Sequence, residues 1–120
     1  MARNNITGAW GESIAAQYLL KKGYKLLACG YRCRYGEIDL IVSDRKHIVF
    51  VEVKLRKSNA FAQAHEFVDQ HKQERIRTTA GMYLSHNPSK LQSRFDVMEI
   101  YAPDGIATQN PEFHHMEGAF

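Results

Sequence analysis

The hydrophobic pattern changes period several times along the chain. In residues 8–22, GAWGESIAAQYLLKK, the apolar positions Trp10, Ile14, Ala15, Tyr18 and Leu19 recur at helical spacing. Gly23 stops that helix, and Glu12 falls in its first turn, where a carboxylate complements the helix dipole. Residues 24–32, YKLLACGYR, read as a strand with weak patterning. Residues 37–42 alternate acid and apolar side chains, SDRK supplies turn chemistry, and residues 48–55 are rich in Val, Ile and Phe. Residues 37–55 are therefore a β-hairpin. Residues 57–66 are irregular, or lead into a helix over about 69–86 that Asp69 caps. Its inner face carries Ile76, Ala80, Tyr83 and Leu84, and Pro88 in HNPS ends it. RFDVMEIY, residues 94–101, is a further strand, and the segment after APDG is either a last small strand or a tail. The order helix, three strands, helix, strand predicts one α/β domain over residues 1–120, a mixed sheet with helices packed on it.

The hairpin carries charge where core residues are expected. Side chains alternate between faces along a strand, so Glu37 shares a face with Asp39, and Glu52 with Lys54. A two-residue loop at Asp44–Arg45 would pair Glu37 with Glu52; a four-residue loop from Asp44 to His47 would pair Asp39 with Glu52. Either register gathers all four charges on one face, with Ile38, Leu40, Val42, Val49, Val51 and Val53 on the other. Directly opposed Cβ atoms lie about 4.5–5.5 Å apart, where like charges are destabilising. A divalent cation reverses that penalty, and hard oxygen ligands at this separation suit Mg²⁺. Lys54, about 7 Å beyond Glu52 on the same face, is placed to touch a phosphate or a water beside such an ion. The plain alternative is a water-facing sheet, on which Glu and Lys commonly alternate.

Composition narrows the class of partner. A hydrophobic fraction of 44% and a charged fraction of 24% describe a soluble globular chain. The net charge of +3 permits a polyanionic partner without requiring one. Cys29 and Cys33, four apart in an extended segment, point the same way but sit too far apart to bond. They read as reduced thiols of the cytoplasm. No stretch is apolar for long enough to cross a membrane, and the N-terminus lacks the apolar run of a secretion signal.

Asp39 followed by Glu52-Val53-Lys54 resembles the D…(D/E)-x-K core of the PD-(D/E)xK nuclease superfamily. The wider pattern is more specific. GEIDLI, FVEVKLR, the helix with Lys72 and Arg75-Ile76, RFDVMEI, the GxxGE of Gly8–Glu12 and the closing GAF resemble the YraN family of small bacterial proteins. That resemblance implies a restriction-endonuclease-like fold, a mixed sheet flanked by helices. It also implies Asp39 and Glu52 as metal ligands for Mg²⁺ or Mn²⁺, Glu12 as an additional carboxylate, and Lys54 as the catalytic lysine. Lys72 is the polar residue on the following helix, while Glu37 belongs to the motif without an assigned role. One departure stands out: the family's Asn-aromatic-Arg triplet reads Gly30-Tyr31-Arg32 here.

The function expected is metal-dependent hydrolysis of phosphodiester bonds, on branched or otherwise structured DNA. Arg32, Arg56, Lys57, Lys72 and Arg75 would hold the backbone through sequence-independent phosphate contacts. A nuclease-fold DNA-binding module without turnover is the alternative. One small domain cuts one strand; cutting both would call for a homodimer.

Overall fold

The computed structural model describes residues 6–57 and 68–120. The described elements are α1 (Ile6–Lys21), β1 (Lys25–Cys33), β2 (Gly36–Ser43), β3 (His47–Arg56), α2 (Gln70–His86), β4 (Gln92–Tyr101), a 3-10 turn at Gly105–Ala107, and β5 (Glu112–Met116). Among the described residues, five strands form one sheet in chain order. β3 and β4 are parallel and the other neighbours antiparallel. A parallel pair needs a long crossover, and α2 lies in this one. This is a single α/β domain with a mixed sheet, consistent with a restriction-endonuclease-like fold.

The two helices cover opposite faces of the sheet. Ala15, Ala16 and Leu19 of α1 pack on Leu40, Val42, Val49, Val51, Val53, Met98 and Ile100. Ile76, Ala80 and Tyr83 of α2 pack on Ile41, Ile48, Phe50 and Val97. β3 is buried on both faces because it lies between covered neighbours. Between its first residue, His47, and Lys54 it is buried throughout. The expected cap is present: Asp69 accepts a 2.8 Å hydrogen bond from the Lys72 N–H. Residues 58–66, expected to be irregular or a helix lead-in, lie outside the described residues.

The observed hairpin register is that of the longer loop, with Ser43 opposite Ile48 and Leu40 opposite Val51. Asp44 fixes it, its Oδ1 accepting from the N–H groups of Lys46 and His47 while its own N–H donates to the His47 carbonyl. One expectation about faces fails. Ile38 joins the α2-side core rather than Leu40 and Val42. The change falls at the level of Gly30, which sits within β1 at φ +61°. On one side of it the pair Cys29–Leu40 faces α1; on the other the pair Tyr31–Ile38 faces α2. A left-handed residue breaks the two-residue alternation, and Asp39 lies opposite that break. The thiols therefore part company. Cys29 lies near Glu12 of α1, which together with the larger effect of burial raises its pKa, whereas Cys33 turns toward the α2 side. Both are free.

Glu12 needs a second correction. α1 extends back at least to Ile6, so Glu12 is not in the first turn, and the helix dipole does not account for it.

RFDVMEI and the closing GAF, far apart in sequence, meet in space. Asp96 is fully buried on β4 and receives two bonds of 2.9 Å from the Arg94 guanidinium, one of 2.7 Å from His115 Nε2 and one of 2.9 Å from the Gly118 N–H. Lys22 Nζ lies 2.8 Å from His115 Nδ1, on the other side of the ring from Asp96. The Ala119 N–H bonds the Phe95 carbonyl, and Phe120 stacks on Phe95 with ring centroids 5.4 Å apart. Asp96 thus ties the C-terminal segment to the sheet.

Two outcomes follow from this architecture. Gly30→Asn should fold normally, since Asn tolerates the left-handed region, while Gly30→Ala should lose about 1–2 kcal/mol in urea unfolding. Nothing lies within 4 Å of an added Cβ at this position, so the loss is conformational. For Asp96, burial pushes the pKa up, but hydrogen bonds from His115, Arg94 and Gly118 outweigh it and leave it lowered. A depressed carboxylate contributes stability above its unfolded pKa of about 3.9 and loses it as pH falls through the folded value. Asp96→Asn should therefore be less stable by about 3–5 kcal/mol at neutral pH. Its gap to wild type should narrow once the pH drops below about 4.

Candidate nucleic-acid site at the parting of two strands

β2 and β3 do not stay paired to their ends. Their ladder stops at Leu40–Val51, while β3 continues beside β4 in unbroken register to Arg56–Tyr101. Beyond that point the β1–β2 hairpin peels away. Its tip docks on α2 through Tyr31, whose ring meets Tyr83 edge-on at 5.2 Å, and through Gly36. Gly36 has φ +149°, and a Cβ there would come within 3.1 Å of Thr79 Oγ1, so only glycine lets the tip approach this closely.

The wedge between β2, β3 and α2 is an open cavity of about 610 Å³. Asp39, Glu52, Lys54 and Glu37 all line it, with Arg32, Lys72 and Arg75. Parting would leave the Val53 N–H without a ladder partner. Asp39 supplies one: its Oδ2 accepts that N–H at 2.8 Å. A carboxylate that is only 3% exposed is thereby tied to the backbone of the strand that carries Glu52 and Lys54.

Cations answer the acids. Lys72 Nζ sits 2.8 Å and Lys54 Nζ 3.7 Å from the same Glu52 oxygen. Burial, followed by the charge of Lys72, lowers the Lys54 pKa. Burial also pulls Lys72 down, but its hydrogen bond to Glu52 and that carboxylate's charge prevail and raise it. Arg75 lies one turn beyond Lys72 on the same helix face. Glu37 now has a visible task. It faces Arg32 across the β1–β2 ladder, with Oε1 3.6 Å from the Arg32 Nε, and so orients that guanidinium at the cavity wall.

Other expected residues are not brought here. Glu12 is not among the cavity-lining residues; its charge is felt instead at Cys29. Arg56 reaches to Glu99, a fully buried carboxylate on β4, with Nη1 to Oε2 at 3.1 Å, and neither it nor the exposed Lys57 lines the cavity. Among the described residues no three His, Cys, Asp or Glu side chains converge as a ready metal cluster. The lining also includes Cys33, Arg34 and Tyr35 of the hairpin tip, which were not anticipated. The turn in RCRYG was their available signal, since residues at such a tip project beyond the sheet.

The model of the uncharacterised protein family UPF0102 matches residues 11–100. The chain belongs to that family. UPF0102 is the YraN family whose motifs the sequence resembles, and the matched stretch contains every residue lining the cavity. A UPF0102 protein of Caldanaerobacter subterraneus is 46% identical over 115 residues, covering 94% of this chain and 93% of its own. One from Syntrophomonas wolfei is 42% identical over 118 residues, with 98% and 99% covered. One from Mycolicibacterium gilvum is 40% identical over 114 residues, with 92% and 90% covered. No described helix is long and apolar enough to cross a membrane.

The bond between Asp39 and Val53 makes a prediction of its own. Asp39→Asn keeps an oxygen acceptor for the Val53 N–H and should unfold in urea near the wild-type midpoint. Asp39→Ala leaves that N–H unsatisfied and should cost about 1–3 kcal/mol. Equal stability of the two variants would show that the bond does not hold the strands in place.

Proposed function

We propose that this UPF0102 chain is a divalent-metal-dependent endonuclease of the PD-(D/E)xK type, acting on nucleic acid, with branched or otherwise structured DNA as the expected substrate. The observation that carries the reading is the Asp39 carboxylate, locked to the Val53 N–H beside Glu52 and Lys54 in a wedge rimmed by Arg32, Lys72 and Arg75.

The donor set fits a hard cation. Asp39 and Glu52 offer carboxylate oxygens from adjacent strands, and Mg²⁺ or Mn²⁺ commonly takes one or two carboxylates and completes its shell with water and substrate phosphate. When bound, such an ion supplies phosphate polarisation and a more acidic attacking water. The chain's own groups do the rest. Lys54, with its pKa shifted down, is suited to orient that water and to balance charge developing on the phosphate. Lys72 and Arg75 from α2 and Arg32 from β1 hold backbone phosphates on either side. Glu12, Arg56 and Lys57 lie outside the cavity lining, so the reading does not depend on them.

A second reading has its own support. Lys72 and Lys54 both pair with Glu52, and in a DNA-binding module without turnover these pairs would balance that carboxylate. Mn²⁺ calorimetry and cleavage assays separate the two. For the nuclease, wild type should bind Mn²⁺ and Asp39→Asn/Glu52→Gln should not. Removing the competing cation in Lys72→Ala should tighten Mn²⁺ binding by about two- to fivefold. Cleavage of branched or flapped DNA in Mn²⁺ should fall by about a hundredfold or more in Lys54→Ala, with unchanged unfolding. DNA binding without metal affinity or cleavage would establish the binding module instead.

A further inference from the structure

The hairpin tip carries an aromatic side chain that packing does not explain. Tyr35 is 37% exposed, and of the exposed large hydrophobic side chains among the described residues it alone lines the candidate cavity. It also lines a second cavity of about 220 Å³ beside His71, Glu74, Arg75 and Thr78. Tyr35 and Arg75 are common to both cavities, so the two adjoin along α2 with the tyrosine at their boundary. The ring is held in place. The Arg34 guanidinium lies 4.9 Å from its centroid and donates to its hydroxyl at 2.7 Å. Beneath it the Tyr35 N–H donates to Cys33 Sγ at 3.4 Å, and Gly36 is pressed against Thr79.

We propose that Tyr35 is a stacking platform for an unpaired nucleobase next to the phosphate held in the larger cavity. The inference rests on the nucleic-acid reading above and gives it a substrate class: strands with unpaired nucleotides at the point of contact. The chemistry is specific to that class. Inside a duplex both faces of each base are covered by neighbours, so a fixed aromatic ring finds nothing to stack on. An unpaired base offers a free face, and stacking accepts any base because all have one. Five cations (Arg32, Arg34, Lys54, Lys72 and Arg75) against three acids line the larger cavity. That balance suits the phosphate joined to such a base. The smaller cavity, with His71 and Thr78 on its wall, receives the next nucleotide along.

The test compares wild type, Tyr35→Ala and Tyr35→Phe for binding of a fluorescent single strand and of the matching blunt duplex, by anisotropy in EDTA. A parallel assay follows Mn²⁺-dependent cleavage of a duplex bearing an unpaired arm. Loss of one stacked base should weaken single-strand binding by Tyr35→Ala about 5- to 150-fold. Duplex binding should fall far less, and Tyr35→Phe should stay near wild type because the ring remains. Equal losses on both DNAs, no loss on either, or a Phe variant as weak as the Ala variant would overturn the platform. Absence of any nucleic-acid binding by wild type would overturn it together with the nuclease reading. Wild type that binds as expected but does not cleave removes only the nuclease reading, and wild-type cleavage left unaltered by Tyr35→Ala removes only the platform.

Discussion

The hydrogen bond from the Val53 N–H to Asp39 is the contact on which the rest of the site depends. A sheet that opens at one end must leave strand N–H groups without partners, and buried ones are costly. Here the opening is stabilised by a side chain from the strand that leaves. The acceptor is a carboxylate, so one residue closes the backbone's hydrogen bonding and places a negative charge at the floor of the wedge. Because β4 keeps β3 straight through its full length, Glu52 and Lys54 stay in register while the hairpin bends away. The wedge has one rigid wall and one wall that turns.

Charge then has to be balanced inside that wedge. Asp39 and Glu52 on neighbouring strands repel, and partial burial strengthens the repulsion. The protein meets it with Lys72 from the first turn of α2 and Lys54 from β3 itself. Asp69 matters here because its cap fixes the turn that carries Lys72. On the proposed reading the arrangement is an exchange. Asp39 and Glu52 would hold the metal, and Lys72, released from Glu52, would be free for a phosphate. An ammonium on a flexible stem can make that move, whereas a bidentate guanidinium would hold the carboxylate more firmly.

Much of this was legible in the sequence. Helical spacing located α1 and α2, composition and turn residues located the strands, and alternation put Glu37, Asp39, Glu52 and Lys54 on one side. SDRK permits two loops and so two registers; the bonds Asp44 makes to Lys46 and His47 decide between them. Ile38 and the two cysteines were misplaced because alternation assumes an uninterrupted strand, and one left-handed glycine reverses faces beyond it. The apolar spacing starts the helix at Gly8, which puts Glu12 in a first turn, whereas α1 already runs from Ile6. The tie between RFDVMEI and GAF was invisible, since it depends on β5 returning beside β4. Tyr35 was missed for a different reason: a lone aromatic in a turn has no periodicity to mark it.

The Gly30-Tyr31-Arg32 stretch lies at the level of the site. Asn and Gly have little in common as side chains, but they are the residues that most readily adopt a left-handed backbone. Gly30 adopts it here, at φ +61°. Its level in the sheet gives that conformation its consequence. Gly30 on β1 lies opposite Asp39 on β2, at the point where β2 leaves β3. Reversing the faces of β1 at this level turns Tyr31 and Ile38 toward α2, and the hairpin follows them. At the same level the β2–β3 ladder ends and the Val53 N–H takes Asp39 as its acceptor. A left-handed glycine, a strand separation and a buried carboxylate thus meet at one level of the sheet, and the cavity opens there.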